Sequence, residues 1–435
     1  MTGVEIGLAS LAAIIVLIYL GMHVAVALAL TSFLGVWALK GSPLLASRLL
    51  ALATFDGISS YVFGVVPLFV LMGLVVSAAG IGKDTFDVAE RLFRRLRGGL
   101  GVATVGANAV FAAITGISIA SAAVFTKVAV PEMIRFGYRP RFAVGVVAGS
   151  SVLGMLIPPS LLFILYGILT EQSVGDLFIA GIGPGILLAV AYAVAIVAAA
   201  YFAPRFVDGG ADAPPTVAVE RLEAFAKLGP IAVLVALVLG GIYGGLFTPT
   251  EAGAVGALGA ILIAVAKRRL DGGTLWRVVV ETGHVTASIC FLLIAAGMYM
   301  RMLSLTGLPD FLGHWIVDAE LGVTGVVLAY VAVVLLMGTI LDSSSIMLVM
   351  VPLVLPVVTG YGVDLVWFGV ITVLAVEIGL LTPPFGLSAF VIKSSLADDS
   401  ITLGDVFAGA LPFALVMLAV LGLVIAFPAL STGLL

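Results

Sequence analysis

The stretch Leu156-Ile157-Pro158-Pro159-Ser160 interrupts an apolar run over residues 142–169, and Leu381-Thr382-Pro383-Pro384-Phe385-Gly386 interrupts a second over 365–392. Each proline removes a helical N–H and crowds the carbonyl one turn earlier. Two in succession therefore unwind the chain and leave carbonyl oxygens without helical partners. The two stretches lie 225 residues apart, and the same offset pairs Ser118 with Ser343, Pro131 with Pro356, Gly137 with Gly362 and Gly154 with Gly379. With four further residues in the second copy, Gly175-Asp176-Leu177-Phe178 pairs with Gly404-Asp405-Val406-Phe407. Single matches on Gly or Pro arise by chance in a chain with 52 Gly and 19 Pro, but chance does not readily keep one offset over more than forty residues. The expectation is an internal repeat, with a broken helix at the same place in each copy.

Composition sets the solvent. Of 435 residues, 62% are hydrophobic and 10% are Asp, Glu, Lys or Arg, against about 25% charged in typical soluble chains. Apolar segments fall at 4–20, 22–39, 61–81, 100–126, 142–169, 176–203, 228–247, 252–266, 278–298, 322–358, 365–392 and 406–428, which predicts an all-α polytopic membrane protein. The stretch before Lys40 is too long for one crossing and is divided near Gly21. A β-barrel is excluded, because its strands would alternate polar and apolar residues. The single cysteine, Cys290, rules out an internal disulfide, and three histidines (His23, His284, His314) are too few for a Cys/His zinc site. No Lys or Arg precedes Lys40, so that segment lacks the basic n-region of a cleaved signal peptide.

Basic residues give the topology. They cluster at Lys83 to Arg97, Lys127 to Arg141, Arg205 to Lys227 and Lys267 to Arg277. The first two clusters flank 100–126, and one crossing between them would put a strongly basic loop outside, against the positive-inside bias. A re-entrant hairpin removes the conflict, and Gly106, Asn108, Thr115, Gly116, Ser118 and Ser121 suit a tip that lines a cavity. All clusters then lie on the cytoplasmic side with the N-terminus outside. The segment 322–358, flanked by Asp310, Asp318, Glu320 and Asp364, becomes a second hairpin entering from outside. Each half reads as three crossings, a hairpin and two crossings; five full crossings is odd, so the halves are inverted.

The unwound double-proline stretches read either as structural kinks or as a paired site whose carbonyls ligate Na⁺ or contact a substrate. The hairpin tips, Thr115-Gly116-Ile117-Ser118 and Gly338-Thr339-Ile340-Leu341-Asp342-Ser343-Ser344-Ser345, carry hydroxyls that cost several kcal/mol at membrane depth unless they find partners. They either face a cavity or bond their own helix backbone. Helix N-termini at these breaks favour an anionic substrate. Asp342 reads as a cation ligand or as the cap of the helix that follows it. Glu377 pairs with Val152 in the repeat, so it is expected to be a structural or tuning group outside the symmetric site. His284 and Arg301 are expected to snorkel or pack near a span end. Residues 83–97 place acids early and bases late and form an amphipathic connector or topology anchor, while 204–227 is a polar linker between the halves.

In order and spacing, Pro67-Leu68-Phe69-Val70-Leu71-Met72-Gly73, the first hairpin to Pro131, Leu153 to Ser160, Gly338 to Pro356 and Glu377 to Pro384 resemble the large membrane subunit of tripartite ATP-independent periplasmic (TRAP) transporters across essentially the whole chain. The resemblance implies about ten transmembrane helices plus two re-entrant hairpins in two inverted-topology repeats. It also implies Na⁺-driven import of an organic acid, such as a C4-dicarboxylate or a sialic acid, by an elevator motion. The expected partners are a small four-helix membrane subunit and a periplasmic substrate-binding protein, in a bacterial inner membrane with both termini periplasmic. Scaffold helices would occupy 1–97 and 228–320, and transport-domain halves 98–203 and 321–435, joined by the linker 204–227.

Carried onto this sequence, one Na⁺ is expected between Thr115, Gly116 and Ser118 and the carbonyls around Gly154, Ile157 and Pro159. A second is expected between Gly338, Thr339 and Asp342 and the stretch Gly379, Thr382 and Pro384. Pro158, Ser160, Pro383, Ser343 and Ser344 would line the substrate cavity. Ile117 stands where the first tip often has a small polar residue, which puts side-chain ligation there in doubt and leaves backbone ligation unaffected. The nearest alternative is a self-sufficient Na⁺- or H⁺-coupled anion symporter. No His-Glu-x-x-His, Gly-x-Gly-Asp pair or Gly-x-Ser-x-Gly elbow supports an intramembrane enzyme, and no Walker A loop supports a primary pump in this chain.

Overall fold

Helix starts fall where capping chemistry places them. Thr2, Thr248 and Thr402 each accept the backbone N–H three residues on, and Glu5, Glu251 and Asp405 return a bond to the cap's own N–H. Gly21, at φ 89°, supplies the left-handed turn that separates Gly3–Tyr19 from Val24–Lys40, where the sequence predicts a division. The computed structural model describes residues 2–59, 61–93, 95–207, 221–318, 322–384, 386–396 and 398–435, and among them regular structure is helical with no strand segment. Most of the linker, including Asp208-Gly209-Gly210 and Pro214-Pro215, lies outside the described residues, as do Glu320 and Phe385.

Six of the described helices are long and apolar enough to cross a membrane, and eight if two bent pairs are each counted as one span. Five more are apolar but only 10–17 residues long. Gly272–Thr306 runs for 35 residues, about 52 Å at 1.5 Å per residue, well beyond a hydrocarbon core of about 30 Å. It extends past the predicted 278–298 at both ends. Two further helices, Pro43–Ser59 and Leu308–Asp318, fall where no crossing is predicted. Their charges hide them from a hydropathy scan. Asp56 on the first pairs with Arg301 at 2.5 Å, so Arg301 is a salt-bridge partner as well as a residue near a helix end.

The first predicted hairpin is the pair Gly99–Thr115 and Ser118–Arg135, and the second is Val323–Gly338 and Ser343–Gly360. The first double proline separates Pro140–Ser151 and Leu153–Leu156 from Leu161–Thr170, with a bend of 41°. The second separates Leu365–Gly379 from Leu387–Ser395.

Ion pairs gather the basic clusters at one end. Val65–Ala78 turns by 61° into Ile81–Phe93, the amphipathic connector. Its Asp84, 3% exposed, takes both guanidinium nitrogens of Arg269 at 2.9 and 3.1 Å and Lys267 Nζ at 2.6 Å. Burial works against ionising this carboxyl, but the hydrogen bonds and charges of Arg269 and Lys267 outweigh it and hold the group below its ordinary value. Asp87 takes Lys227 at 2.9 Å and Arg91 reaches Glu223 at 2.6 Å. The Arg139 N–H donates to the Val207 carbonyl, and the Arg97 guanidinium lies over the Tyr201 ring. All four clusters therefore share one face. Both chain ends lie at the opposite end: Gly3 packs on Thr306, and the Trp367 indole N–H donates to the Val424 carbonyl.

Candidate functional site

Glycine shapes the first tip. Gly116 is left-handed (φ 62°), and extended Ile117 then turns the chain into Ser118. A Cβ on Gly116 would strike the Pro159 carbonyl oxygen, one on Gly73 would lie 2.8 Å from the Thr115 oxygen, and one on Gly154 would lie 3.1 Å from the Ile117 oxygen. The Gly116 carbonyl also accepts the Leu161 N–H at 3.1 Å. The tip is thus held backbone to backbone between Val65–Ala78 and the first break. A cavity of about 10 Å³ remains among Thr115, Gly116, Ile117, Pro159 and Ser160, room for about one water-sized particle.

The second tip meets its own break by the same device. Gly338 lies against Gly379 so closely that a Cβ on Gly338 would sit 2.5 Å from the Gly379 Cα. Each break also repairs a carbonyl that proline deprives. Pro159 has no N–H for Met155 four residues earlier, and the Ser160 hydroxyl donates there instead. Pro383 has none for Gly379, whose carbonyl accepts the Thr382 N–H at 3.0 Å and the Thr382 hydroxyl at 2.6 Å. The Pro158-Pro159 and Pro383-Pro384 peptide bonds are both cis.

The predicted residues divide. Thr115, Gly116, Gly154, Pro159 and Ser160 come together at the first tip, Ile157 packs instead against Gly185 of Val174–Phe202, and Gly338, Gly379 and Thr382 come together at the second. Several hydroxyls are engaged locally. Thr115 donates to the Phe111 carbonyl at 3.0 Å and Thr339 to Leu336 at 2.7 Å. Asp342 caps the helix that follows it: it accepts the Ser344 and Ser345 N–H groups and the Ser345 hydroxyl. Pro158 and Pro159 are buried, whereas Pro383 and Pro384 are exposed, so the two breaks are not equally enclosed.

Glu377 has contacts that the sequence does not reveal. Fully buried on Leu365–Gly379, it accepts the Ser343 hydroxyl at 3.2 Å and the Ser118 hydroxyl at 3.5 Å, both on Oε1. The first residues of the two returning hairpin arms therefore meet on one carboxylate. Repeat symmetry hides this role, because Val152 occupies the matching position. The signal was nevertheless present as a lone charge in a fifteen-residue apolar helix.

At the basic end, a cavity of about 600 Å³ is lined by Ser77, Lys127, Thr274, Arg277 and Glu281. It lies between the second arm of the first hairpin and the start of Gly272–Thr306, with two cations on its wall. Apolar helices long enough to span, and hairpin arms whose first residues meet on one buried carboxylate, define a multi-pass membrane protein.

Residues 11–430 match the family described as the tripartite ATP-independent periplasmic transporter, DctM component. The chain belongs to this family of large TRAP transporter permeases. It is 34% identical to the C4-dicarboxylate TRAP transporter large permease protein DctM of Pseudomonas aeruginosa over 389 residues, 89% of each chain. It is 30% identical to the sialic acid TRAP transporter large permease protein SiaM of Vibrio cholerae over 373 residues, 86% of each. Its fold is similar to that of the Alcanivorax borkumensis YdaH transporter (TM-score 0.61, 14% identity, 87% of this chain and 88% of that one).

Proposed function

We propose that this chain is the large membrane subunit of a Na⁺-driven importer of an organic acid, built as two inverted repeats and working by an elevator motion. The observation that carries the reading is the pair of glycine contacts, Gly116 on Pro159 and Gly338 on Gly379, which press each hairpin tip onto an unwound, proline-broken helix. Backbone oxygens at such places ligate a hard monovalent cation without a carboxylate. The first Na⁺ occupies the space bounded by Thr115, Gly116, Ile117 and Pro159, and the second lies against Gly338, Gly379 and Thr382. Lys127 and Arg277, on the wall of the basic-end cavity, suit a departing carboxylate. The C4-dicarboxylate and sialic acid relatives support an organic acid as substrate. A periplasmic binding protein delivers it, and a small four-helix subunit completes the complex in the inner membrane.

Reconstituted in proteoliposomes, the chain is expected to support uptake only with an inward Na⁺ gradient, the small subunit and the binding protein together. Equal uptake driven by a proton gradient in Na⁺-free buffer would overturn the coupling, and uptake without the two partners would indicate a self-sufficient symporter. Thr382→Ala removes one oxygen from the second site while the Thr382 N–H still serves the Gly379 carbonyl. The Na⁺ concentration for half-maximal uptake should rise about tenfold, the equivalent of one hydrogen-bond-sized contact, with expression and melting temperature little changed. An unaltered Na⁺ titration would remove Thr382 from the site.

A further inference from the structure

Glu377 presents a charge problem that the two tip sites do not solve. It is 0% exposed, and its second oxygen, Oε2, has no hydrogen-bond partner. None of the described ion pairs reaches it; they lie in the connector network, on Arg301 and Asp56, and at other helix ends. An anionic carboxylate inside a bilayer without a counter-charge costs several kcal/mol.

The surroundings supply oxygens and helix ends rather than cations. Ser118 and Ser343 are the first residues of Ser118–Arg135 and Ser343–Gly360, so two helix N-termini, each carrying partial positive charge, converge on the carboxylate. Ser121 lies three residues beyond Ser118, on the same helix face. Its hydroxyl is also buried and without a partner.

We propose that Glu377, with the hydroxyls of Ser118, Ser343 and Ser121, forms a further alkali-cation site where the two hairpin tips meet. The donor set is all hard oxygen, which selects alkali and alkaline-earth ions over transition metals. A single carboxylate matches one positive charge, whereas divalent sites gather more carboxylates and carbonyls. Because the ligands come from three elements, Ser118–Arg135, Ser343–Gly360 and Leu365–Gly379, the bound ion fastens both hairpins to one broken helix. The proposal rests on the Na⁺-driven reading only in naming Na⁺ as the ion.

The test is equilibrium binding of radioactive Na⁺ to the purified full-length chain, with choline chloride holding ionic strength constant. Glu377→Gln keeps shape and hydrogen-bonding capacity but loses the charge, and should bind one Na⁺ fewer than the unmodified chain. Equal stoichiometry in the two proteins overturns the site and leaves the tip sites standing. Absence of Na⁺ binding to the unmodified chain overturns both this site and the coupling reading. If Glu377→Gln does not fold, Ser343→Ala carries the test with the carboxylate intact. One Na⁺ should then bind about tenfold more weakly, in line with the loss of one charge-assisted contact, and unchanged affinities would overturn the proposal.

Discussion

Gly338→Ala is expected to reduce uptake by tenfold to a hundredfold. The added methyl would sit 2.5 Å from the Gly379 Cα and 2.9 Å from its carbonyl carbon. Both obstacles are backbone, so no side-chain rotation relieves the collision, and the hairpin must move off the broken helix. Overpacking of this kind costs about 1–3 kcal/mol, and each 1.4 kcal/mol is roughly a factor of ten in an equilibrium constant. The loss should therefore appear in Na⁺-dependent uptake before it appears in expression. Gly240→Ala is the control: that glycine is also helical, but a Cβ there meets nothing within 4 Å. Uptake by Gly338→Ala equal to that of the control would show that the tip tolerates displacement and that its contact with Gly379 is not part of the transport site.

Asp84→Ala should lower the stability of the chain by about 2 kcal/mol, less than the 3–5 kcal/mol typical when a fully buried pair loses one partner. The discount reflects the half-exposed Arg269. Removing the carboxylate leaves Lys267 and Arg269 crowded together where the connector meets the start of Gly272–Thr306. A drop of several degrees in melting temperature checks this. The pH dependence has a definite sign. Because Asp84 titrates below its ordinary value in the folded chain, its contribution is complete above the unfolded carboxyl value of about 3.9. It is lost only as pH falls through the lower folded value. Stability should therefore be insensitive to this group between pH 7 and 5, and Asp84→Asn should flatten part of the loss below pH 4. A steep Asp84-dependent change near neutrality would contradict the assignment.

The turns at both tips, both breaks and the division at Gly21 are legible because each follows from backbone chemistry: proline removes a donor and glycine admits a tight turn. The basic clusters identified one face for the same reason, since charge avoids lipid wherever it falls in the chain. Pro43–Ser59 and Leu308–Asp318 were not legible as helices, because their charged residues lower hydropathy and their partners are distant in sequence. Asp56 needs Arg301, 245 residues away. That Asp342 caps the helix after it shows only in the positions of the Ser344 and Ser345 N–H groups.

The sequence by itself determined an apolar helical chain suited to lipid, the basic clusters that share one face, and the places where its helices must break, because these depend on residue type and local spacing. Glu377 marks the other boundary. Its repeat partner is a valine and its neighbours in sequence are apolar, so the sequence marks it as a lone charge without naming its partners. Only the tertiary structure brings Ser118, 259 residues away, and Ser343, 34 residues away, onto its carboxylate, because a hydrogen bond from a hairpin tip to another helix depends on how helices pack rather than on what each helix contains.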